Sequence, residues 1–139
     1  MVDVNALIRH LLLSSTAVTS LLGTNAGGSI YAGALPEHFD PALGPGIQLL
    51  AAGGSSHDEV DGLVDRRVQV RVWANVYQYE LANQVFGAIH DSLHGQTNLS
   101  AGSFGKVVRA LEASGPNHMD DPDTGWATVY GFFTVMAVA

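Results

Sequence analysis

The 139 residues contain no cysteine, which excludes disulfides and thiolate chemistry and fits a cytosolic protein. Positive charge is also scarce: six Lys and Arg stand against thirteen Asp and Glu, for a net charge of −7. A nucleic-acid-binding protein shows a basic stripe, and none is visible here, so sequence-specific DNA or RNA binding is not expected. Adhesion to anionic lipid is disfavoured for the same reason. No apolar run reaches the roughly 18 residues that a membrane-spanning helix needs. The opening Met-Val-Asp-Val-Asn lacks the basic region of a signal peptide, so none is expected. Charged residues make up 14% and hydrophobic residues 47%. That is too apolar for disorder and poor in charge for a monomer's surface, as in an oligomer. The length predicts one domain over 1–139 with a core that needs no staples.

Catalytic signatures are equally sparse. The Gly-Thr-Asn-Ala-Gly-Gly-Ser loop at 23–29 lacks the Gly-Lys-Ser/Thr ending of a phosphate-binding loop. No Gly-x-Ser-x-Gly elbow supports a Ser/His/Asp set. His90 and His94 stand four residues apart and share a helix face, so they could grip a metal. A catalytic zinc also needs a third protein ligand and an open position, and the glutamate of the zinc-protease motif is missing after His90. At the end of a helix both histidines also suit the helix dipole. Within the acidic segments 55–62 and 114–125, His57-Asp58-Glu59 and the run 118–123 could each hold a cation through carboxylates, but the second lacks the Asp-x-Asp-x-Asp-Gly order and the bidentate Glu of a calcium loop. Both are read as exposed, mobile acidic loops. No cofactor or metal is expected.

What is present is a strand feeding a helix, over 63–93. Val64, Val68, Val70, Val72 and Ala74 alternate with Asp65, Arg67, Gln69, Arg71 and Trp73, the period of a half-buried strand. Leu81, Val85, Ile89 and Leu93 then recur every four residues with Ala82, Phe86 and Ala88 beside them, an amphipathic helix. Before this unit, Asp3 or Asn5 caps a Leu-rich helix over 4–13. A break at Ser14-Ser15 and a further turn or two over 16–22 follow, closed by Gly23. Ile30-Tyr31-Ala32 reads as a short strand, and 46–52 as a strand ended by Gly53-Gly54. After it, 95–102 reads as a polar connector, 104–113 as a strand and 126–138 as a strand apolar on both faces. Such a strand lies centrally or has one face covered by another subunit. The predicted class is α+β: a mostly antiparallel four- to five-stranded sheet with two main helices packed on it. Aromatics at its junctions, Trp73 and the Tyr77-Gln78-Tyr79 triplet, are read as core or interface anchors. The balance favours an assembly protein over an enzyme.

The pattern over most of the chain resembles the tail-completion and tail-terminator family of long-tailed phages and prophages. The resemblance runs through the Leu-rich helix ending in Leu21-Leu22-Gly23, then Ile30-Tyr31, Leu35-Pro36 and Gly46-Ile47-Gln48-Leu49. It is strongest over Arg67-Val68-Gln69-Val70-Arg71-Val72-Trp73-Ala74, followed by Tyr77 and the helix to Leu93, and it closes with Trp126, Tyr130 and Phe132. The glycine and alanine richness of 24–29 and 51–56 departs from the family pattern.

The resemblance implies a non-enzymatic ring, typically a hexamer, on the head-proximal end of a tail tube. Such a ring ends tube polymerisation and offers a docking surface to the head connector or neck protein. It implies assembly in the host cytoplasm and residence in the tail-neck region of the virion. The candidate subunit or tail-tube contacts are Trp73, Tyr77, Trp126, Tyr130 and Phe132, with His57, Asp58, Glu59, Asp61, Asp120, Asp121 and Asp123 in the acidic segments. The alternatives are a small ligand-binding α+β module with a closed pocket under the helix, or a metal-dependent enzyme using His90 and His94.

Overall fold

In a computed structural model of the protein, the described residues are 2–23, 29–56 and 62–139. The chain begins with α1 (Val4–Leu13), whose N-cap Asp3 accepts the Ala6 amide on Oδ1 at 3.1 Å. The helix breaks at Ser14 and Ser15, where the Ser14 hydroxyl donates to His10 O at 3.0 Å and Ser15 Oγ lies 3.0 Å from Ser92 Oγ. The chain re-enters a helix as α2 (Thr16–Leu22) and leaves it at Gly23, where φ is +67°. β1 (Ile30–Ala32), a 3-10 turn at Pro41–Leu43, β2 (Gly46–Ser56) and β3 (Val64–Ala74) follow. After them come α3 (Tyr79–Leu93), β4 (Thr97–Ser100), a second 3-10 turn at Gly102–Phe104, β5 (Lys106–Asp120) and β6 (Ala127–Val138).

The strands form one sheet in the order β1-β2-β3-β6-β5-β4. β1 runs parallel to β2, and every other neighbouring pair is antiparallel. The organising strand β3 and the last strand β6 are the two central strands, paired without interruption from Val64↔Ala137 to Ala74↔Ala127.

One face of the sheet carries the core. Val64, Val68, Val70 and Val72 of β3 and Val129, Phe133 and Val135 of β6 are buried beneath the helices. α1 contributes Leu7, Ile8 and Leu12, and α2 adds Val18 and Leu22. α3 lays Ala82, Val85, Phe86, Ile89 and Leu93 on the centre of the sheet. The predicted helices and the strand–helix unit at 63–93 are present at nearly the expected bounds.

The sheet is larger than expected: six strands in mixed orientation, not four or five. Three sequence readings change with it. Gly53 and Gly54 do not end β2. A register shift between Ala51 and Gly54 carries the strand past them, and Gly54 has φ +142° with no room for a side chain against the backbone of Asp65. The polar connector at 95–102 contains β4, whose exposed pattern hides it from period-2 reading. Residues 114–120, read as part of a mobile acidic loop, are the second half of β5, hydrogen-bonded along β6 from Ser114↔Phe132 to Asp120↔Ala127. β5 also breaks the predicted alternation. A bulge at Val108 lets Val107 and Ala110 both face the core.

Candidate functional site: the open face of the sheet

All three helices pack against the core face of the sheet, so the opposite face carries no helix among the described residues, and only its Trp73–Thr128 end is buried. The residues that strand alternation sends there are unusual. From β3 they are Asp65, Arg67, Gln69, Arg71 and Trp73. Directly across on β6 stand Met136, Thr134, Phe132, Tyr130 and Thr128. The Arg67 guanidinium carbon lies 4.5 Å from the centre of the Phe132 ring. That of Arg71 lies 5.4 Å from Tyr130 and 5.6 Å from Trp73. Arginine stacks on rings in this way because its planar guanidinium is weakly hydrated and the ring face is electron-rich.

The aromatic row continues past Trp73. Trp73 and Trp126 meet edge-on at 6.1 Å, Trp126 and Phe39 at 5.6 Å, and Phe39 and Tyr31 at 5.8 Å. On the other side, Arg109 pairs with Met136 and Lys106 with Val138. Asp65, Arg109, Leu111, Thr134 and Met136 surround a shallow hollow of about 120 Å³. Arg67, Arg71, Lys106 and Arg109 are four of the six cationic residues of an acidic chain, so this face is its positive pole. Two polar atoms here, Nε of Arg71 and Oγ1 of Thr128, are buried without a hydrogen-bond partner among the described residues. Unmatched buried polar atoms are costly and uncommon.

One end of the sheet carries exposed turns. The β3–α3 turn at 75–78 is closed by the Gln78 amide donating to Asn75 O at 3.0 Å, and it holds Tyr77 at φ +66° with its side chain 94% exposed. The β5–β6 turn at 121–125 approaches it, Gly125 lying beside the Val76 side chain. In that turn Asp121 Oδ2 accepts the Thr124 amide at 3.1 Å, whereas Asp123 is exposed and makes no hydrogen bond or ion pair among the described residues.

The expected contact residues therefore fall into separate groups. Trp73, Trp126, Tyr130 and Phe132 come together on the open face, although Trp73 is already 8% exposed within its own chain. Tyr77, Asp121 and Asp123 sit at the end turns. Asp120 points to the core side of β5 and accepts a hydrogen bond from the Tyr79 hydroxyl. His57, Asp58, Glu59 and Asp61 lie outside the described residues.

The structure also resolves the histidines. Tyr79, Asn83 and His90 share one edge of α3 and, with His94 at its C-cap, stitch it to β5. His118 Nε2 lies 2.7 Å from Asn83 Oδ1, and His90 Nε2 lies 3.1 Å from Glu112 Oε2. His94 Nδ1 accepts the Glu112 amide at 2.9 Å, and its ring stacks on His90 at 4.6 Å. No group of three or more His, Asp or Glu placed to hold a metal occurs among the described residues. This polar seam was missed in the sequence, although its 79, 83, 90 spacing on one helix edge is a legible signal.

The fold is thus a six-stranded mixed sheet with helices on one side and an arginine–aromatic face on the other. A chain in a solved structure of the virion of a native gene transfer agent (GTA) particle shares it, with a TM-score of 0.69 at 16% identity over 97% of this chain and 94% of that chain. The bacteriophage tail terminator protein family matches residues 17–128, and the chain belongs to that family. It is thus a structural phage tail protein. No curated protein matches it in sequence. No helix among the described residues is long and apolar enough to cross a membrane.

Proposed function

We propose that the protein caps the head-proximal end of a phage tail tube, ends tube polymerisation there and presents the surface on which the head connector or a neck protein docks. The observation that carries this reading is the family match over 17–128, and the uncovered arginine–aromatic face suits a protein built for contact. The working form is a ring of copies, a hexamer by the family's habit, held by head-to-tail contacts that close by rotation. It assembles in the host cytoplasm and stays at the tail-neck of the virion. No enzymatic step is part of the role.

The test is tube growth in vitro. Purified tail-tube protein is polymerised with and without this protein, and tube lengths and ends are read by negative-stain electron microscopy. Capping gives shorter tubes with added density at one end only. Unaltered lengths and bare ends at saturating protein overturn the reading.

A further inference from the structure

We propose that the open face of one copy receives the end turns of a second copy, with Asp123 of the incoming 121–125 turn meeting Arg71 beside Arg67. This rests on the ring reading above and names the surfaces that would make it.

Charge is the first argument. The chain is acidic at −7, yet Arg67, Arg71, Arg109 and Lys106 gather on one face. Asp123 is held out at the tip of an exposed turn. Two like-charged proteins associate when such poles are segregated, because the local match outweighs a screened net repulsion. The second argument is unfinished hydrogen bonding. Arg71 Nε is buried with no acceptor among the described residues, while its guanidinium carbon lies 5.6 Å from the Trp73 ring and 5.4 Å from the Tyr130 ring. A carboxylate suits a guanidinium set between rings, since the planar fork takes one bidentately. Asp121 cannot serve equally, because its carboxylate is engaged by Thr124. The third argument is the apolar companion to the charge. Tyr77 stands 94% exposed next to Val76, which lies beside Gly125 of the same turn, an aromatic ready to lie against Phe132 and Tyr130 of the receiving copy. Donor turns and acceptor face occupy different parts of the surface, so the contact is heterologous and propagates from copy to copy until it closes.

The absence of cysteine permits a clean test. Pro122→Cys marks the turn and Gln69→Cys marks the face between Arg67 and Arg71. A short thiol cross-linker is applied to each single variant, to their mixture and to the double variant. The expected result is no product from either single variant, dimers from the mixture, and a ladder above dimer from the double variant. Self-linking of a single variant as strong as the mixture, or no ladder from the double variant, overturns the proposal.

A charge swap adds a reading independent of cysteine. Arg71→Glu and Asp123→Arg should each weaken self-association by about tenfold or more, as loss of a close desolvated charge pair does, and together restore it. Circular dichroism of Arg71→Gln, the milder variant, guards against a folding artefact. A double swap that recovers nothing while both chains are folded overturns the pairing. The outcomes separate cleanly from the capping assay. Wild-type protein that caps tubes while the double cysteine variant forms no ladder refutes this contact and keeps the function, and a ladder without capping does the reverse.

Discussion

Trp73 on β3 donates its indole Nε1–H to Oε1 of Gln48 on β2 at 3.1 Å, and Gln48 in turn donates Nε2–H to Gly33 O at 3.0 Å. This two-step chain ties Gly33, just after β1, to the Trp73 end of the open face, and Trp126 packs edge-on against the same indole. Trp73→Phe keeps most of the ring but removes the donor, leaving Gln48 Oε1 without its partner. The expected cost is about 1–2 kcal/mol, one hydrogen bond plus lost packing. Urea unfolding followed by circular dichroism measures it, and a variant as stable as wild type would show that the indole N–H is not needed.

Gly131 sits where β6 passes beneath Phe86. A β-carbon there would come within 2.6 Å of the Phe86 ring and 2.8 Å of the Ser114 carbonyl oxygen. Gly131→Ala should therefore destabilise the fold by about 1–3 kcal/mol through overpacking. Trimming the ring with Phe86→Leu should recover part of that loss in the double variant, because the two substitutions share one contact. Strict additivity would place the clash on the Ser114 backbone alone.

How far the sequence carried these features depended on periodicity. β3 and α3 were legible because Val64 to Ala74 alternates and Leu81, Val85, Ile89 and Leu93 step by four, each pattern having one face to bury. The second half of β5 was not, since residues 113–120 are all exposed and include Gly115 and Pro116. Its strand state is imposed by hairpin pairing with β6 rather than by a face to bury. β4 was hidden the same way. On the open face, Tyr130 and Phe132 could be named from the two-sided apolarity of β6. The stacking of Arg67 and Arg71 on them could not, because it requires the cross-strand register Arg71↔Tyr130. Asp120 was grouped with Asp121 and Asp123 by sequence adjacency, yet alternation within β5 turns it to the helix side.

That placement has a pH consequence. The hydrogen bond from the Tyr79 hydroxyl to Asp120 raises the phenol pKa above its ordinary 10.0, with desolvation and the carboxylate's negative charge acting in the same direction. Above pH 10.0 the unfolded chain gives up this proton while the folded chain retains it. The stabilising contribution is therefore complete below that pH and is lost as pH rises through the folded value. The stability gap between wild type and Tyr79→Phe should hold steady at neutral pH and narrow once the pH passes 10.0. Denaturant midpoints across the alkaline range test this, alongside tyrosinate absorbance of the two proteins. A gap that stays constant across the window would refute the linkage.

Tyr77 separates folding from assembly. It occupies the third position of the 75–78 turn at φ +66°, where glycine is favoured and a bulky side chain is strained. Its ring is 94% exposed, so little packing within the chain compensates for that strain. Tyr77→Gly should leave the fold as stable as before or raise its stability by up to about 1 kcal/mol, because relief of the strained backbone competes with the greater freedom of an unfolded glycine. The same substitution should weaken self-association and tube capping, since it deletes the aromatic that stands beside the acidic turn. Thermal melting and light scattering on one preparation read both effects. A Tyr77→Gly protein that melts at or above the wild-type temperature and still associates normally would remove Tyr77 from the contact. One that melts markedly lower would mean that the ring supports its own fold after all.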